Sequence, residues 1–274
     1  MAFLLSHSVM DSPSAQRTAL VLHGALGSGQ NFRSFVRRLQ QERPDYRFVL
    51  VDLRAHGSSS GALPPHTLSA AAADLGPLIE SLGTALPVDV VIGHSLGGKT
   101  TLEYARQHPA SLRQLWILDS NPGAQPPHAG LEILQVIDAV RGVAMPAATR
   151  QDVVTALLAK GLSSGTANWM TTNLKRVGDR YEWIFELDSI AELVTDYFQQ
   201  DLWDFLAEPR TEPVLEFVVA DASDRIDADM RQRLQALPAA SQCHVHVLPN
   251  SGHWVHVDNP DGLLSMMTAG LYRG

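Results

Sequence analysis

Val90-Val91-Ile92-Gly93-His94-Ser95-Leu96-Gly97-Gly98-Lys99 is the stretch that decides the reading of this chain. An aliphatic run leads into Gly-x-Ser-x-Gly, and the residues that follow, through position 108, have the length and spacing of a helix. A strand that turns at once into a helix lifts the residue at the turn out of the sheet. Only glycine at positions 93 and 97 lets neighbouring backbone pass that closely. Ser95 is therefore expected on a strained turn with its hydroxyl presented at the sheet edge. The helix starting near Leu96 aims its first N–H groups at the same spot, where they favour a developing negative charge.

Working outward, short aliphatic or β-branched runs recur at residues 18–22, 48–52, 88–92, 115–119, 214–220 and 245–248. Each reads as a strand buried on both faces. Segments of helix length lie between them at 31–41, 70–82 and 96–108, so the pattern is repeated βα units and the fold class is α/β with a mostly parallel sheet. The alternation stops after Asp119. From 121 to about 210 no convincing strand is visible. Pro122, Pro126 and Pro127 lead into helical stretches at 131–140, 152–158 and 190–205. The expected organisation is a core of residues 1–120 and 211–274 with residues 121–210 inserted as a helical cap. Trp169, Trp183, Phe185, Tyr197, Phe198, Trp203 and Phe205 gather in that insertion, some to pack it and a few to line a pocket.

Composition excludes several classes. The 274 residues are 45% hydrophobic and 18% charged, which suits one globular unit. A formal net charge of -8 leaves no basic excess for phosphates, so nucleic acid is not an expected partner. Cys243 is the single cysteine, which rules out an internal disulfide and a thiolate metal site. No apolar run approaches the ~18 residues of a membrane helix. Phe3, Leu4 and Leu5 are followed at once by Ser6 and His7, too short a run for a signal segment, so the expected location is cytoplasmic.

A serine hydroxyl needs a base beside it. The last predicted strand ends in Pro249-Asn250-Ser251-Gly252, a turn that delivers His253, with His256 as the rival three residues on. The glycine immediately before His253 favours it, because a base projecting from a loop needs a permissive backbone. His23, His94 and His108 have sufficient structural explanations. His244 and His246 share a strand face but have no carboxylate or thiolate nearby in sequence, so no metal or other cofactor is implied. Three aspartates are placed to orient the base: Asp119 at the end of a strand, and Asp221 and Asp224 after the strand ending at Ala220. All three keep the chain order Ser, Asp, His. His23-Gly24-Ala25-Leu26-Gly27 follows the first long strand, and its spacing fits neither nucleotide fingerprint. The amides of Ala25 and Leu96 are the expected oxyanion donors.

Together these segments resemble the α/β-hydrolase superfamily, and more narrowly its small bacterial carboxylesterases and their mitochondrial relatives. Leu22-His23-Gly24-Ala25 is similar to the oxyanion loop, and residues 93–99 to the esterases' elbow around the nucleophile. Gly252-His253-Trp254-Val255-His256 is similar to the base segment, and Asp52-Leu53-Arg54-Ala55-His56-Gly57-Ser58 to a turn in which Ala55 replaces a usual glycine. Most superfamily members carry the acid in a Gly-x-x-Asp turn, where this chain has Ala220-Asp221-Ala222-Ser223. The esterase subgroup carries it at the end of the strand after the elbow helix, a place that Asp119 matches. The resemblance therefore prefers Asp119, with Asp224 second. It implies a serine hydrolase acting on a small-molecule carboxylic ester. Thioesters, lactones, carbon–carbon bonds and peroxide share the machinery, and a small-molecule receptor shares the fold.

Overall fold

The computed structural model describes residues 3–109, 112–126 and 131–273; Pro127 of the proline-rich lead-in lies outside them. The described residues include nine strands: β1 (His7–Met10), β2 (Arg17–Leu22), β3 (Tyr46–Val51), β4 (Val88–His94), β5 (Gln114–Leu118), β6 (Leu174–Val177), β7 (Arg180–Trp183), β8 (Val214–Ala220) and β9 (Cys243–Leu248). Seven of them form one sheet in the order β1-β3-β2-β4-β5-β8-β9. Its pairings are parallel except at the edge, where β1 runs antiparallel to β3. That edge strand is absent from the sequence reading because His7-Ser8-Val9-Met10 has no apolar run, only the mixed exposure of an edge.

Successive side chains leave a strand on opposite faces, so each central strand feeds two cores. Leu20 and Leu22 join one apolar cluster with Val91, Ile117 and Phe217. Ala19 and Val21 join the other with Val90, Ile92, Trp116 and Val218. The first face is covered by α2 (Leu68–Ala73), α3 (Leu75–Ser81) and α4 (Leu96–Gln107), the second by α1 (Arg33–Glu42) and α12 (Pro260–Gly270). The helix expected over 70–82 is two helices. Pro77 cannot donate to the carbonyl of Ala73, and the chain breaks at Asp74, which pairs with Arg54 at 2.6 Å.

Between β5 and β8 lie α5 (Leu131–Arg141), α6 (Arg150–Ala159), α7 (Ser164–Met170), α8 (Leu187–Gln199) and α9 (Trp203–Ala207). This stretch differs from the sequence reading in two ways. It contains a strand pair, β6 with β7, which turn around Gly178 at φ +62°. The pair reads as loop because Lys175, Arg176 and Arg180 leave it mostly exposed. The helix expected over 190–205 is also interrupted. Leu202 donates its N–H to Pro122 O at 3.0 Å, and Asp201 Oδ1 accepts the N–H of Trp203 at 2.9 Å. A tertiary bond thus wins over local propensity. A third apolar cluster, including Ile137, Leu157, Met170 and Ile190, closes onto Leu26 and Ala55 of the sheet-edge loops. Two shorter helices, α10 (Ala228–Gln235) and α11 (Val255–Asp258), complete the chain.

Those loops are held by buried histidines. His23 donates from Nδ1 to Gly24 O at 2.7 Å and accepts the N–H of Leu53 on Nε2 at 3.0 Å. His56 donates from Nδ1 to Arg54 O at 2.9 Å and accepts the N–H of Leu26 on Nε2 at 3.1 Å. Accepting an amide requires a neutral ring, and burial pushes His23 down to about 4 and His56 down to about 3. Gly57, at φ +51°, is fixed by its neighbour, since a Cβ there would stand 2.2 Å from Asp52 Oδ2. Because the folded rings resist protonation, the unfolded chain takes up more protons below the ordinary histidine pKa. Stability therefore falls as pH falls from about 6.5 towards 4, by about 1.4 kcal/mol per pH unit for each such proton. Calorimetric melting across pH 7.5 to 4.5 is expected to show a midpoint that drops ever more steeply below 6.5. A midpoint constant between 6.5 and 5 would contradict this account of the loops.

Candidate active site

Ser95 sits alone between the end of β4 and the first residue of α4, at φ 53° and ψ -117°. A side-chain-bearing residue in that region carries strain on the order of 1–3 kcal/mol. Close packing enforces the turn. A Cβ on Gly93 would lie 2.3 Å from Gly97 O, and one on Gly97 would lie 2.7 Å from the carbonyls of Leu22 and His23. Ser95 N–H donates to Leu118 O at 3.0 Å, and Ser120 Oγ donates to Ser95 O at 2.6 Å, so the turn is pinned to the neighbouring strand and its exit.

The chain after β9 brings His253 to the same rim. Its Nδ1 donates to Asp119 Oδ2 at 2.8 Å. Asp119 follows β5 in the left-handed region at φ 44° and has no exposed surface. Its Oδ1 accepts the N–H of Ala220 at 3.1 Å, and Oδ2 also accepts Ser223 Oγ at 2.5 Å. The other two aspartates are elsewhere. Asp224 is solvent-exposed and pairs with Arg225 at 3.4 Å. Asp221 accepts the N–H of Ser251 at 3.1 Å, and the backbone amides of Ser251 and Asn250 hold its carboxyl below the usual range. Ser223, which the sequence reading did not assign a role, stands at the position where most superfamily members carry their acid. That departure was the available signal.

The rival histidine is used for packing. His256 is buried and stacks on Phe32 with ring centres 4.0 Å apart, and burial pushes it down to about 4. His94 donates from Nε2 to the carbonyl of His253 at 2.7 Å, and burial holds it well below the ordinary value. This bond fixes the backbone of His253 against the strand that carries Ser95.

The loop of residues 23–27 is shaped the same way. Leu26, at φ 59°, gives its N–H to His56, and Gly27 gives its own to Gly24 O at 3.1 Å. The N–H of Ala25 is committed to neither bond. Leu96 is the first residue of α4, where no preceding turn supplies an acceptor. Gly24 lets the loop close: a Cβ there would lie 3.2 Å from Ser95 Cβ and 3.0 Å from His94 Nδ1.

Ser95, Asp119, His253, Ala25 and Leu96 all line one cavity of about 260 Å³. Of the insertion's aromatics, Trp169, Tyr197 and Phe198 face it, together with Trp254. Trp203 and Phe205 instead pack on the sheet, and Phe185 packs within the insertion. Trp254 was not singled out from sequence; its place beside His253 was the signal. Lys99 has no exposed surface, yet Nζ donates to Gly123 O and to Tyr197 O, both at 2.8 Å. Burial brings it down to about 7, against the pull of Asp201 and Asp196.

His244 and His246 do have a carboxylate neighbour, contrary to the sequence reading. Glu216 on β8 lies 3.3 Å from His244 Nδ1 and 2.7 Å from His246 Nε2. Parallel pairing of β8 with β9 makes this contact, which sequence separation hides. Among the described residues no group of three His, Cys, Asp or Glu is arranged to hold a metal ion. Nor, among them, is any helix long and apolar enough to cross a membrane.

The sequence model of the Alpha/beta hydrolase family matches residues 19–265. The chain is 31% identical over 273 residues to a Mus musculus protein named sn-1-specific diacylglycerol lipase ABHD11, covering 97% of this chain and 84% of that one. It is 26% identical over 248 residues to Esterase YbfF of Escherichia coli, covering 89% of each. A solved structure described as a marine microorganism esterase shares the fold with a TM-score of 0.84 at 23% identity, over 98% of this chain and 100% of the other. The chain belongs to the α/β-hydrolase family and is a hydrolytic enzyme.

Proposed function

We propose that the protein is a serine carboxylesterase working through an acyl-enzyme, with Ser95 as nucleophile, His253 as general base and Asp119 as the orienting acid. One observation carries the reading. A buried carboxylate accepts His253 Nδ1–H at 2.8 Å in the cavity that also holds the strained Ser95. That bond selects the tautomer in which Nε2 is free to take a proton.

The steps follow from this geometry. Ser95 Oγ attacks the ester carbonyl carbon while its proton passes to His253 Nε2. The carbonyl oxygen becomes an oxyanion and accepts N–H bonds from Ala25 and Leu96. The intermediate collapses, the carbon–oxygen bond to the alcohol breaks, and His253 returns the proton to the leaving oxygen. Water then repeats the sequence on the acyl-enzyme, releasing the acid and restoring Ser95. Asp119 stabilises the imidazolium, held in place by Ala220 N–H and Ser223 Oγ. Residues 121–210 act as the cap that supplies the acyl-binding walls, among them Ile133, Val136, Val194 and Phe198.

Initial rates on p-nitrophenyl esters of increasing acyl length test the reading. Ser95→Ala is expected to abolish turnover with an unchanged circular dichroism spectrum, and full activity in that variant would sink the mechanism. Asp119→Asn is expected to lower kcat by about 10³- to 10⁴-fold, the scale of a wrong-tautomer defect. Asp224→Asn should stay within about twofold, as solvent-exposed substitutions away from a site usually do. The opposite ranking of the two aspartates would overturn the assignment of the acid.

A further inference from the structure

We propose that Trp169 and Trp254 form an aromatic subsite on the leaving-group side of the cavity, so that the ester this enzyme prefers carries an aryl ring in its alcohol, as a benzyl ester does. The inference rests on the ester-hydrolase reading above and extends it to the alcohol.

His253 decides which side that is. In the proposed mechanism its Nε2 returns the proton to the departing oxygen, so the alcohol leaves beside the imidazole. Trp254 is the next residue in the chain, and its ring centre lies 6.3 Å from that of His253. Trp169 reaches the same place from α7 of the insertion. The two indoles meet edge to face with ring centres 4.5 Å apart and planes at 65°. Both line the cavity that holds Ser95. The aliphatic walls assigned to the acyl group, Ile133, Val136 and Val194, come from α5 and α8 instead.

What the pair offers the cavity is ring surface. Both side chains are half-buried, and the indole nitrogen of Trp169 is itself enclosed, so the part of Trp169 that meets the cavity is carbon. An edge-to-face contact uses one face of one ring and one edge of the other, which leaves π-surface on both for a further partner. Two flat rings set at a steep angle make a corner. A third ring fills it best, because offset-stacked and edge-to-face contacts add attraction that an alkyl group of equal area lacks. The charged groups of the wall do not call for an ionic alcohol: Arg225 and Glu132 pair with each other, and Asp119 is committed to His253, Ser223 and Ala220. Mere closure of the insertion onto the loop after β9 would be served by any apolar pair, and the test separates that role from recognition.

The test compares benzyl acetate with cyclohexylmethyl acetate, which share a carbon skeleton and differ in the ring. Each kcat/KM is divided by the rate constant for hydrolysis by hydroxide, which removes differences in leaving-group reactivity. Wild type is expected to favour the benzyl ester about tenfold, the scale of two aromatic contacts. Trp169→Leu is expected to lower that ratio by about threefold or more, and Trp169→Phe, which restores a ring, to keep it within about twofold of wild type. Losses common to both esters cancel, so a variant that only packs less well leaves the ratio where it was. If Trp169→Leu does not fold, inhibition of wild type by benzyl alcohol and by cyclohexylmethanol makes the same comparison, with benzyl alcohol expected to bind more tightly. Methyl phenylacetate against methyl cyclohexylacetate moves the ring to the acyl side, where no preference is expected; a preference there and none among the acetates would overturn the placement. A wild-type acetate ratio near one, or a ratio that Trp169→Leu leaves unchanged, would overturn the inference while leaving the esterase reading intact. Wild type that cleaves none of the four esters would overturn both.

Discussion

The arrangement of this molecule depends on one buried charge. Asp119 has no exposed surface, and taking a carboxylate out of water costs several kcal/mol unless donors replace its hydration. Three do so: the N–H of Ala220, the hydroxyl of Ser223 and the imidazole N–H of His253. Each comes from a different part of the chain, namely the end of β8, the turn after it and the loop after β9. Satisfying the carboxylate therefore aligns three C-terminal segments with the exit of β5. The same set of bonds fixes the ring of His253, so the requirement of the fold and that of the proposed chemistry coincide at this residue.

A second constraint starts from the backbone of β4. Gly93 and Gly97 must be glycine because carbonyl oxygens stand where their Cβ atoms would go, and the resulting turn holds Ser95 in a conformation it would not otherwise adopt. Neutral His94, His23 and His56 then lock the surrounding loops by donating from one ring nitrogen to a carbonyl, and His23 and His56 also accept an amide on the other. A charged ring could not accept, so burial is what makes these histidines useful as two-ended clamps.

How much of this is legible in sequence depends on whether the signal is local. The strands 18–22 and 214–220 are visible because parallel strands buried on both faces read as unbroken aliphatic runs. The elbow is visible because Gly93, Ser95 and Gly97 lie side by side in the chain, although the carbonyls that crowd Gly97 come from the distant Leu22 and His23. The sequence prefers Asp119 over Asp224 only through family resemblance, since all three aspartates follow strands that end at the same edge; the burial of Asp119 and exposure of Asp224 are tertiary facts. Glu216 beside His244 and His246 was missed because strand pairing made that contact across a long sequence gap. Edge strand β1 and the pair β6 with β7 carry polar residues in short runs, which leave no periodic apolar signal to find. Ser223 and Trp254 each carry a sequence signal, a departure from the family pattern and a place beside His253, but the contacts that give them meaning are tertiary.

Lys99 shows how the insertion is tied to the turn that carries Ser95. It belongs to α4, one turn beyond Ser95, and its ammonium holds a carbonyl of the strap after β5 and a carbonyl of α8 while resting over the Tyr197 ring at 4.6 Å. Among the described residues no carboxylate makes an ion pair with it, so the two carbonyls and the ring must replace its hydration. An apolar side chain could fill that space, but it could not hold two backbone segments at fixed distance. The motif lysine thus transmits the position of the elbow helix to Tyr197 and to the strap bearing Asn121, both of which wall the cavity. The walls of the cavity and the turn that carries Ser95 are in this way parts of one hydrogen-bonded body.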